Sequence, residues 1–453
     1  MANSRRNFIR NSAAALAAGS TLATSASANN SSAFSKTVAP SDKLRFGVIG
    51  CKGMGWADMK AHLTSMPEVD CVALADVDQS VLDERSKNVE ELRGNKPQTF
   101  KDYRKMLEMK DLDAVIIGTP DHWHCMAFCD SISSGRHVYC EKPISARIEE
   151  CNVMLRAAKR YPKQMVQVGQ WQRSGTHYTQ AHNYLKSGKL GNIRLVKVWA
   201  YQGWMNPVPV VPDSAPPAGV DYDMWLGPAT KRPFNQNRFH FNFRWFWDYA
   251  GGLMTDWGVH EIDIALFFMG VSAPKSIMAS GGKLAYPDDA SETPDTLQAV
   301  FEYDNFNMLW EHATGIDGGC YGKTEGIAFI GNNATLVVNR GGWEIIPETK
   351  RNDDGWKVNK VEALPYQGKG SADYLQLHAQ NFVDAIKKND ASILNCGIET
   401  GAVAAINAAM GNVAFRTGRK LYWDAANGNF KNDADANTYL KANYNNGWKL
   451  PNY

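Results

Sequence analysis

The chain has 453 residues, enough for two domains that each bury a core, and its 49 basic and 47 acidic residues leave a net charge of +2. With no dense basic run, this balance excludes a nucleic-acid surface or an anionic membrane face and points to small, neutral partners. The eight cysteines, at 51, 71, 125, 129, 140, 151, 320 and 396, contain no C-x-x-C pair, so buried free thiols are expected rather than a metal site or a disulfide framework.

Residues 1–28 read as an export signal. Ser4-Arg5-Arg6-Asn7-Phe8-Ile9-Arg10 resembles the twin-arginine signature, an apolar stretch follows from Ala13 to Ala23, and Ala26-Ser27-Ala28 offers a cleavage site. The apolar stretch is too short to span a bilayer, and no other candidate span occurs. An exported, periplasmic protein is expected, with a Ser/Ala/Asn-rich linker over 29–42.

Lys43 to Gly55, KLRFGVIGCKGMG, is a β-branched and apolar run entering a cluster of three glycines, and then residues able to start a helix. Strand, tight turn and helix in that order form a phosphate cradle, because glycine permits positive φ and lets a pyrophosphate approach backbone N–H groups at the helix start. Gly50, Lys52, Gly53, Met54 and Gly55 are the candidate contacts, although Lys52 stands where the dinucleotide fingerprint has its second glycine. A second apolar strand ends at Asp76, 21 residues beyond Gly55. An acid there accepts hydrogen bonds from an adenosine ribose and repels a 2′-phosphate, which favours NAD; the alternative is that Asp76 and Asp78 cap the helix beginning near Gln79.

Strand patterns at 44–49, 70–75, 113–118, 136–140 and 164–168 alternate with helical patterns at 57–66, 79–93, 101–109, 122–135 and 147–160, which predicts a doubly wound parallel sheet over 43–170. Two of its strand ends deliver Thr119-Pro120-Asp121-His122-Trp123-His124 and Glu141-Lys142-Pro143 to the cofactor edge. Thr119, Pro120, His124, Glu141 and Lys142 therefore join the cofactor set, with Trp123 and His122 as weaker flanking candidates. From 171 to 424, strand-like runs at 193–202, 274–282, 295–303, 306–314, 324–330 and 334–339 follow one another with few helices. A largely antiparallel sheet is expected, with helices over 371–388 and 399–417, a last strand at 420–423 and a tail over 425–453.

The glycine turn, the Thr119-Pro120…His124 loop, Glu141-Lys142-Pro143 and Gly251-Gly252…Asp256-Trp-Gly258-Val-His260-Glu-Ile-Asp263, in that order, resemble the Gfo/Idh/MocA family (glucose-fructose oxidoreductase, inositol dehydrogenase and MocA) from about 43 to 424. The resemblance implies an N-terminal Rossmann domain that binds NAD, and a C-terminal α+β domain with an open mixed sheet that closes over the nicotinamide and carries a homo-oligomer interface. It implies that Lys142 lies near the nicotinamide and assists proton transfer. Lys52 and the aromatic insertion at 199–250 depart from the family pattern.

Asp256 and His260 are spaced to share one face of the apolar helix Gly258 to Met269. A histidine titrating near neutrality can take the proton of a carbinol, with Asp256 orienting it or binding substrate and Asp263 as an alternative partner. Lys142, His260 and Asp256 are the catalytic candidates. Arg173 and His177, after the fifth strand, join Asp256 and His260 as substrate candidates, while His240, Arg244, Trp245 and Asp248 sit in an aromatic stripe that reads as core or subunit contact. The expected function is NAD-dependent oxidation of a secondary hydroxyl of a sugar, cyclitol or glycoside by an enzyme with tightly bound cofactor. The alternative is an NAD-dependent glycoside hydrolase or lyase working by transient oxidation and elimination; a non-catalytic NAD sensor fits poorly with Lys142, Asp256 and His260.

Overall fold

Six short parallel strands carry the N-terminal half: β1 (Leu44–Ile49), β2 (Val69–Ala75), β3 (Gln98–Phe100), β4 (Ala114–Ile117), β5 (His137–Cys140) and β6 (Val166–Val168), in the spatial order 3-2-1-4-5-6. The order reverses between β1 and β4, whose carboxyl ends lie side by side through the Ile49–Ile117 register, and a crevice opens at such a point. Both faces of this sheet are buried. Ala114 and Ile116 pack into one core while Val115 and Ile117 pack into the other, which is why the strands read as continuous apolar runs. This structure is a computed structural model that describes residues 42–453; the twin-arginine-like motif at Ser4 to Arg10, the site after Ala28 and linker residues 29–41 lie outside the described residues.

The second sheet has ten strands: β7 (Ile193–Gln202), β8 (Ser276–Gly282), β9 (Thr296–Glu302), β10 (Asn307–Thr314), β11 (Glu325–Gly331), β12 (Ala334–Asn339), β13 (Gly342–Pro347), β16 (Leu364–Gly368), β17 (Leu421–Asp424) and β18 (Asn429–Phe430). They run in the order 16-13-12-11-7-10-9-8-17-18. The β14 (Thr349–Arg351) and β15 (Lys357–Asn359) pair stands apart as a hairpin. β7 and β10 pair parallel, and their other neighbours are antiparallel. Helices Gly258–Met269 and Ile398–Thr417 cover one face, with Ile262, Leu266, Ala408 and Met410 against Phe301, Trp310 and Phe329. The first of these helices is largely apolar, apart from the buried His260, Glu261 and Asp263, because it is buried nearly all round, and it stops at Gly270, whose φ of 66° forms the left-handed cap.

The sequence pattern does not announce β3 or β13 to β16. β3 has two exposed residues and one half-buried one, and the β14–β15 hairpin and the edge strand β16 are largely exposed, so alternation has no buried face to follow.

Between β7 and the short helix Gly252–Asp256, the chain makes a long excursion with little regular structure and its own aromatic core, including Trp225, Phe234, Phe239, Phe243, Trp245 and Tyr249. The excursion is pinned across the tip of β2. Asp221 N–H donates to Val77 O (2.9 Å), Gln79 N–H donates to Gly219 O (3.2 Å), and Lys101 Nζ donates to the same Gly219 O (2.9 Å). The tail returns to the first sheet. Tyr444 Oη donates to Glu150 (2.6 Å), and Trp448 meets Trp123 edge-on at 4.9 Å.

Candidate active site

A cleft of about 640 Å³ opens at the carboxyl ends of β1, β2, β4 and β5. Its floor explains the glycines. A Cβ at Gly50 (φ +81°) would lie 2.6 Å from Thr119 N, and one at Gly55 would lie 2.0 Å from Gly50 O, so the turn, the helix and the β4 loop touch backbone to backbone. Lys52 is tolerated because its backbone is extended (φ −94°, ψ 166°), and Gly53 (φ +52°), one residue later, faces open space. Helix Gly53–Ser65 has no side-chain cap and no acid in its first turn, leaving its N–H groups and positive dipole end free for an anion. Lys52, Met54 and Thr119 line the cleft, and the Thr119 hydroxyl is buried without a partner. These features fit a dinucleotide pyrophosphate.

Asp76 lines the same cleft and braces it. Its carboxylate accepts from Cys51 N–H (2.8 Å) and Asp78 N–H (3.0 Å); burial pushes the group up to about 6 against those bonds. Capping of helix Gln79–Arg93 falls to Asp78, which accepts from Ser80 N–H and meets His240 Nε2 at 3.0 Å. Asp76 is thus left beside the bare turn, where a ribose would lie.

Among the other cofactor candidates, Pro120, His124, Glu141 and Lys142 also line the cleft. His124 is a brace: Nδ1 faces Pro143 O (2.7 Å) and Nε2 faces Thr119 O (2.9 Å), tying the β4 and β5 loops. Burial pulls its pKa down to about 4, so a neutral ring donates to one of the two carbonyls. Glu141 is buried opposite Asp58, and neither the Asp58 oxygens nor Glu141 Oε1 has a hydrogen-bond donor. Burial raises both carboxyls, Glu141 to about 7, as expected where two acids share a proton. Gly169 makes room for Glu141, because a Cβ there would lie 2.1 Å from Oε1.

Lys142 reaches across to the second sheet's helices. Its Nζ donates to Asp256 O (2.9 Å) and Asp256 Oδ1 (3.1 Å), and Arg244 Nε donates to the same Oδ1 (3.1 Å). Burial alone would raise Asp256, yet the charges of Lys142 and Arg244 and their hydrogen bonds hold it down to about 2. Asp121 faces this group from the β4 loop: burial raises it to about 7, Arg244 opposes that and Asp256 adds to it. His260, one turn beyond Asp256, packs 5.2 Å from the Trp171 ring, and its buried Nδ1 has no partner. Burial, then Lys142 and Arg340, drive His260 well below the ordinary imidazole range, so it is neutral. Asp256 bonds to Lys142 and Arg244 rather than orienting His260. Arg340 lies between Trp257 (4.1 Å) and Trp171 (4.7 Å), and Trp171 stacks on Tyr374 at 4.9 Å.

Two substrate candidates do not line the cleft. Arg173 forks onto Asp263 (2.7 and 2.9 Å) and covers Phe267, so Nε and Nη2 are held by a buried carboxylate 90 residues away, and Asp263 is paired with Arg173 rather than orienting His260. His177 is buried, with Nε2 on Asn339 O at 3.1 Å. The expectation for the aromatic stripe is also revised: it does form a core, but His240, Phe241, Phe243 and Arg244 line the cleft. His122 turns away, Nε2 on Trp225 O at 3.0 Å, while Trp123 lines the cleft. Asp121, Arg340 and Tyr374 went unselected in the sequence; Asp121 had a signal, being an acid in the loop that delivers Thr119 and His124. All eight cysteines are unpaired. Among the described residues, no group of three or more His, Cys, Asp or Glu is placed to hold a metal ion, and no helix is long and apolar enough to cross a membrane.

Comparison with known proteins agrees with this geometry. The model of the oxidoreductase family NAD-binding Rossmann fold matches residues 44–170, and that of the same family's C-terminal alpha/beta domain matches residues 188–303. The chain is 26% identical to the rhizopine catabolism protein MocA of Rhizobium meliloti over 258 residues, which is 57% of this chain and 67% of that one. It is 30% identical to an alpha-N-acetylgalactosaminidase of Shewanella oneidensis over 175 residues, 35% of this chain and 38% of that one. In fold it is similar to scyllo-inositol dehydrogenase from Lactobacillus casei, with a TM-score of 0.61 at 20% identity, covering 84% of this chain and 99% of that one. With two family models in sequence order, a 3-2-1-4-5-6 parallel sheet and a glycine cradle at its switch point, the chain belongs to the Gfo/Idh/MocA family of oxidoreductases, and its cofactor is NAD.

Proposed function

We propose that the protein oxidises a secondary hydroxyl of a sugar, cyclitol or glycoside at the junction of the two sheets, with NAD held tightly throughout. The observation that carries this reading is Lys142, which lines the NAD cleft and is fixed from the other side by Asp256 and Arg244. When bound, NAD supplies the hydride acceptor. Lys142 Nζ is held where it can donate to the reacting oxygen as negative charge develops there. His260, kept neutral by burial and by neighbouring cations, can accept the hydroxyl proton. Asp121, raised to about 7, is matched to passing a proton onward near neutrality.

Tight cofactor binding is supported by the excursion pinned across the β2 tip, beside Asp76, by Gly219, Asp221 and His240. Escape from the cleft on that side requires those contacts to open. It is supported also by the twin-arginine-like motif, because an exported enzyme has no dependable pool of soluble NAD. Under these conditions the hydride must return to the same substrate or pass to a second one. The covered cleft favours a second reading, redox-neutral glycoside cleavage: oxidation acidifies a neighbouring C–H, a base removes that proton, the glycosidic oxygen leaves, water adds and the hydride is returned. The partial similarity to an alpha-N-acetylgalactosaminidase supports the same reading.

Protein purified without added nucleotide and then denatured should release near-stoichiometric NAD(H), detected by absorbance and chromatography. Cofactor-free protein that binds NAD weakly and reversibly would defeat the tight-binding reading. Chromogenic glycosides and free sugars, each offered with and without added NAD, separate cleavage from net oxidation.

A further inference from the structure

Beside the NAD cleft lies a second cavity, of about 360 Å³, lined by residues that the reaction above does not use. The two spaces share one wall. Phe241 lines both, Arg244 lines the cleft while the adjacent Trp245 lines the cavity, and the short helix Gly252–Asp256 presents Leu253 to the cavity while its last residue holds Lys142. A substrate reacting at Lys142 and extending past Phe241 therefore enters this cavity.

Its walls are aromatic above and polar below. Trp204 and Phe241 are 56% and 51% exposed and meet edge-on at 6.2 Å. Two large exposed rings set together and held still are unusual on a surface with no ligand to cover. Trp204 Nε1 is anchored on Gln202 Oε1 (2.6 Å), and the Arg244 guanidinium backs Phe241 at 4.7 Å. The apolar C–H face of a pyranose packs against aromatic faces of this kind. Below them, Thr314 is 8% exposed and its hydroxyl is buried without a partner, which is costly unless a ligand or water supplies one. The carboxylates of Asp289 and Asp295 also line the cavity. Backbone donors from Val208 and Ser291 fix the first, and those from Leu284, Ala285 and Tyr286 fix the second. Lys283 pairs with Asp289 at 2.9 Å, while Asp295 is held by neutral donors alone, Thr296 Oγ1 (2.7 Å) among them, so its carboxylate disfavours an anionic ring in the cavity.

We propose that this cavity is a second sugar subsite, so that the substrate is a neutral glycoside of at least two rings, the first reacting at Lys142 and the second lying on Trp204 and Phe241 over Thr314. This rests on the carbohydrate reading above.

The test compares the NAD-loaded protein on matched pairs: methyl β-galactoside with lactose, methyl β-glucoside with cellobiose, and methyl α-glucoside with maltose. Turnover is read as reduced cofactor or released monosaccharide. In at least one pair kcat/KM should favour the disaccharide by about 10-fold, and Trp204→Ala and, separately, Thr314→Val should bring that ratio toward one. Bound NAD and thermal unfolding, measured on both variants, show that the fold survives, and the conservative Thr314→Val keeps the test open if Trp204→Ala unfolds. Turnover of methyl glycosides with no disaccharide advantage in any pair, or an advantage that survives both substitutions, overturns the subsite and leaves the carbohydrate reading standing. Protein without bound NAD would instead strike at that earlier reading.

Discussion

Asp256 ends one short helix and Asp263 lies in the next, and each is paired with a cation, yet they titrate in opposite directions. Asp263 is 2% exposed and meets one guanidinium, that of Arg173; burial outweighs the fork, and its carboxyl rises above the ordinary range. Asp256 keeps 16% of its side chain exposed and receives two cations, Lys142 and Arg244, which together overcome burial and hold it at about 2. The same residue type is a structural fastener in one place and, in the other, an anion fixed at the proposed reaction centre. Depth and the number of cations decide which.

The largest expected effect separates the two roles. Lys142→Ala and Asp256→Asn should each lower turnover by at least about 100-fold while bound NAD stays near stoichiometric, because they remove or release the donor at the reacting oxygen. Asp263→Asn should leave turnover per folded molecule nearly intact and cost about 3–5 kcal/mol of stability by stranding Arg173. Chemical denaturation beside steady-state kinetics reads both. Equal losses of turnover for Asp256→Asn and Asp263→Asn would abolish the distinction.

Acid titration sharpens the comparison. Asp256 has a folded pKa of about 2, below its unfolded value, so it contributes stability above the unfolded pKa and loses it as pH falls toward 2. The contribution is about 2 kcal/mol at neutral pH. Asp263, raised by burial, has the opposite sign: its ionisation costs stability as pH rises through the folded value. Unfolding free energies from pH 2 to 7 should therefore flatten at the acid end in Asp256→Asn relative to the parent, and should not in Asp263→Asn.

The smallest expected effect concerns the cover over the cleft. His240→Ala removes the Nε2 contact to Asp78 (3.0 Å) and leaves the Gly219 and Asp221 contacts in place. Release of bound NAD should quicken by about 3- to 10-fold, measured by exchange against labelled NAD. An unchanged exchange rate would remove His240 from the closure.

What the sequence disclosed, and what it withheld, follows from how far apart the partners lie. The glycine turn, Asp76 and Lys142 are local patterns set by the needs of a strand end, and they line the cleft that the two-sheet architecture opens; the Asp256/His260 spacing reads as one helix face, whereas the helix breaks at Trp257 and Asp256 ends the short helix Gly252–Asp256. The pairing of Arg173 is not legible locally because Asp263, its partner, lies 90 residues on. Nothing in the local pattern distinguishes a buried fork from a free guanidinium. Arg340 comes to Trp171 from the turn between β12 and β13, and Tyr374 from the start of helix Tyr374–Lys388, both remote in sequence. The excursion after β7 has neither a helix nor a strand period, so its aromatics showed a core but not that the same segment would wall the cleft.

The tail fastens the residues beside the cleft. Trp448 meets Trp123 at 4.9 Å, and Asn446 Nδ2 donates to the carbonyls of Gly227 (2.8 Å) and Ala229 (2.9 Å), beside the residues that roof the cleft. A Cβ at Gly227 would collide with the Trp123 ring at 2.1 Å, so loop, roof and tail interlock. A nascent chain can form the first sheet and its glycine turn early, but those walls are not locked until residue 448 has left the ribosome. The walls of the cleft are thus completed only when the tail docks beside them.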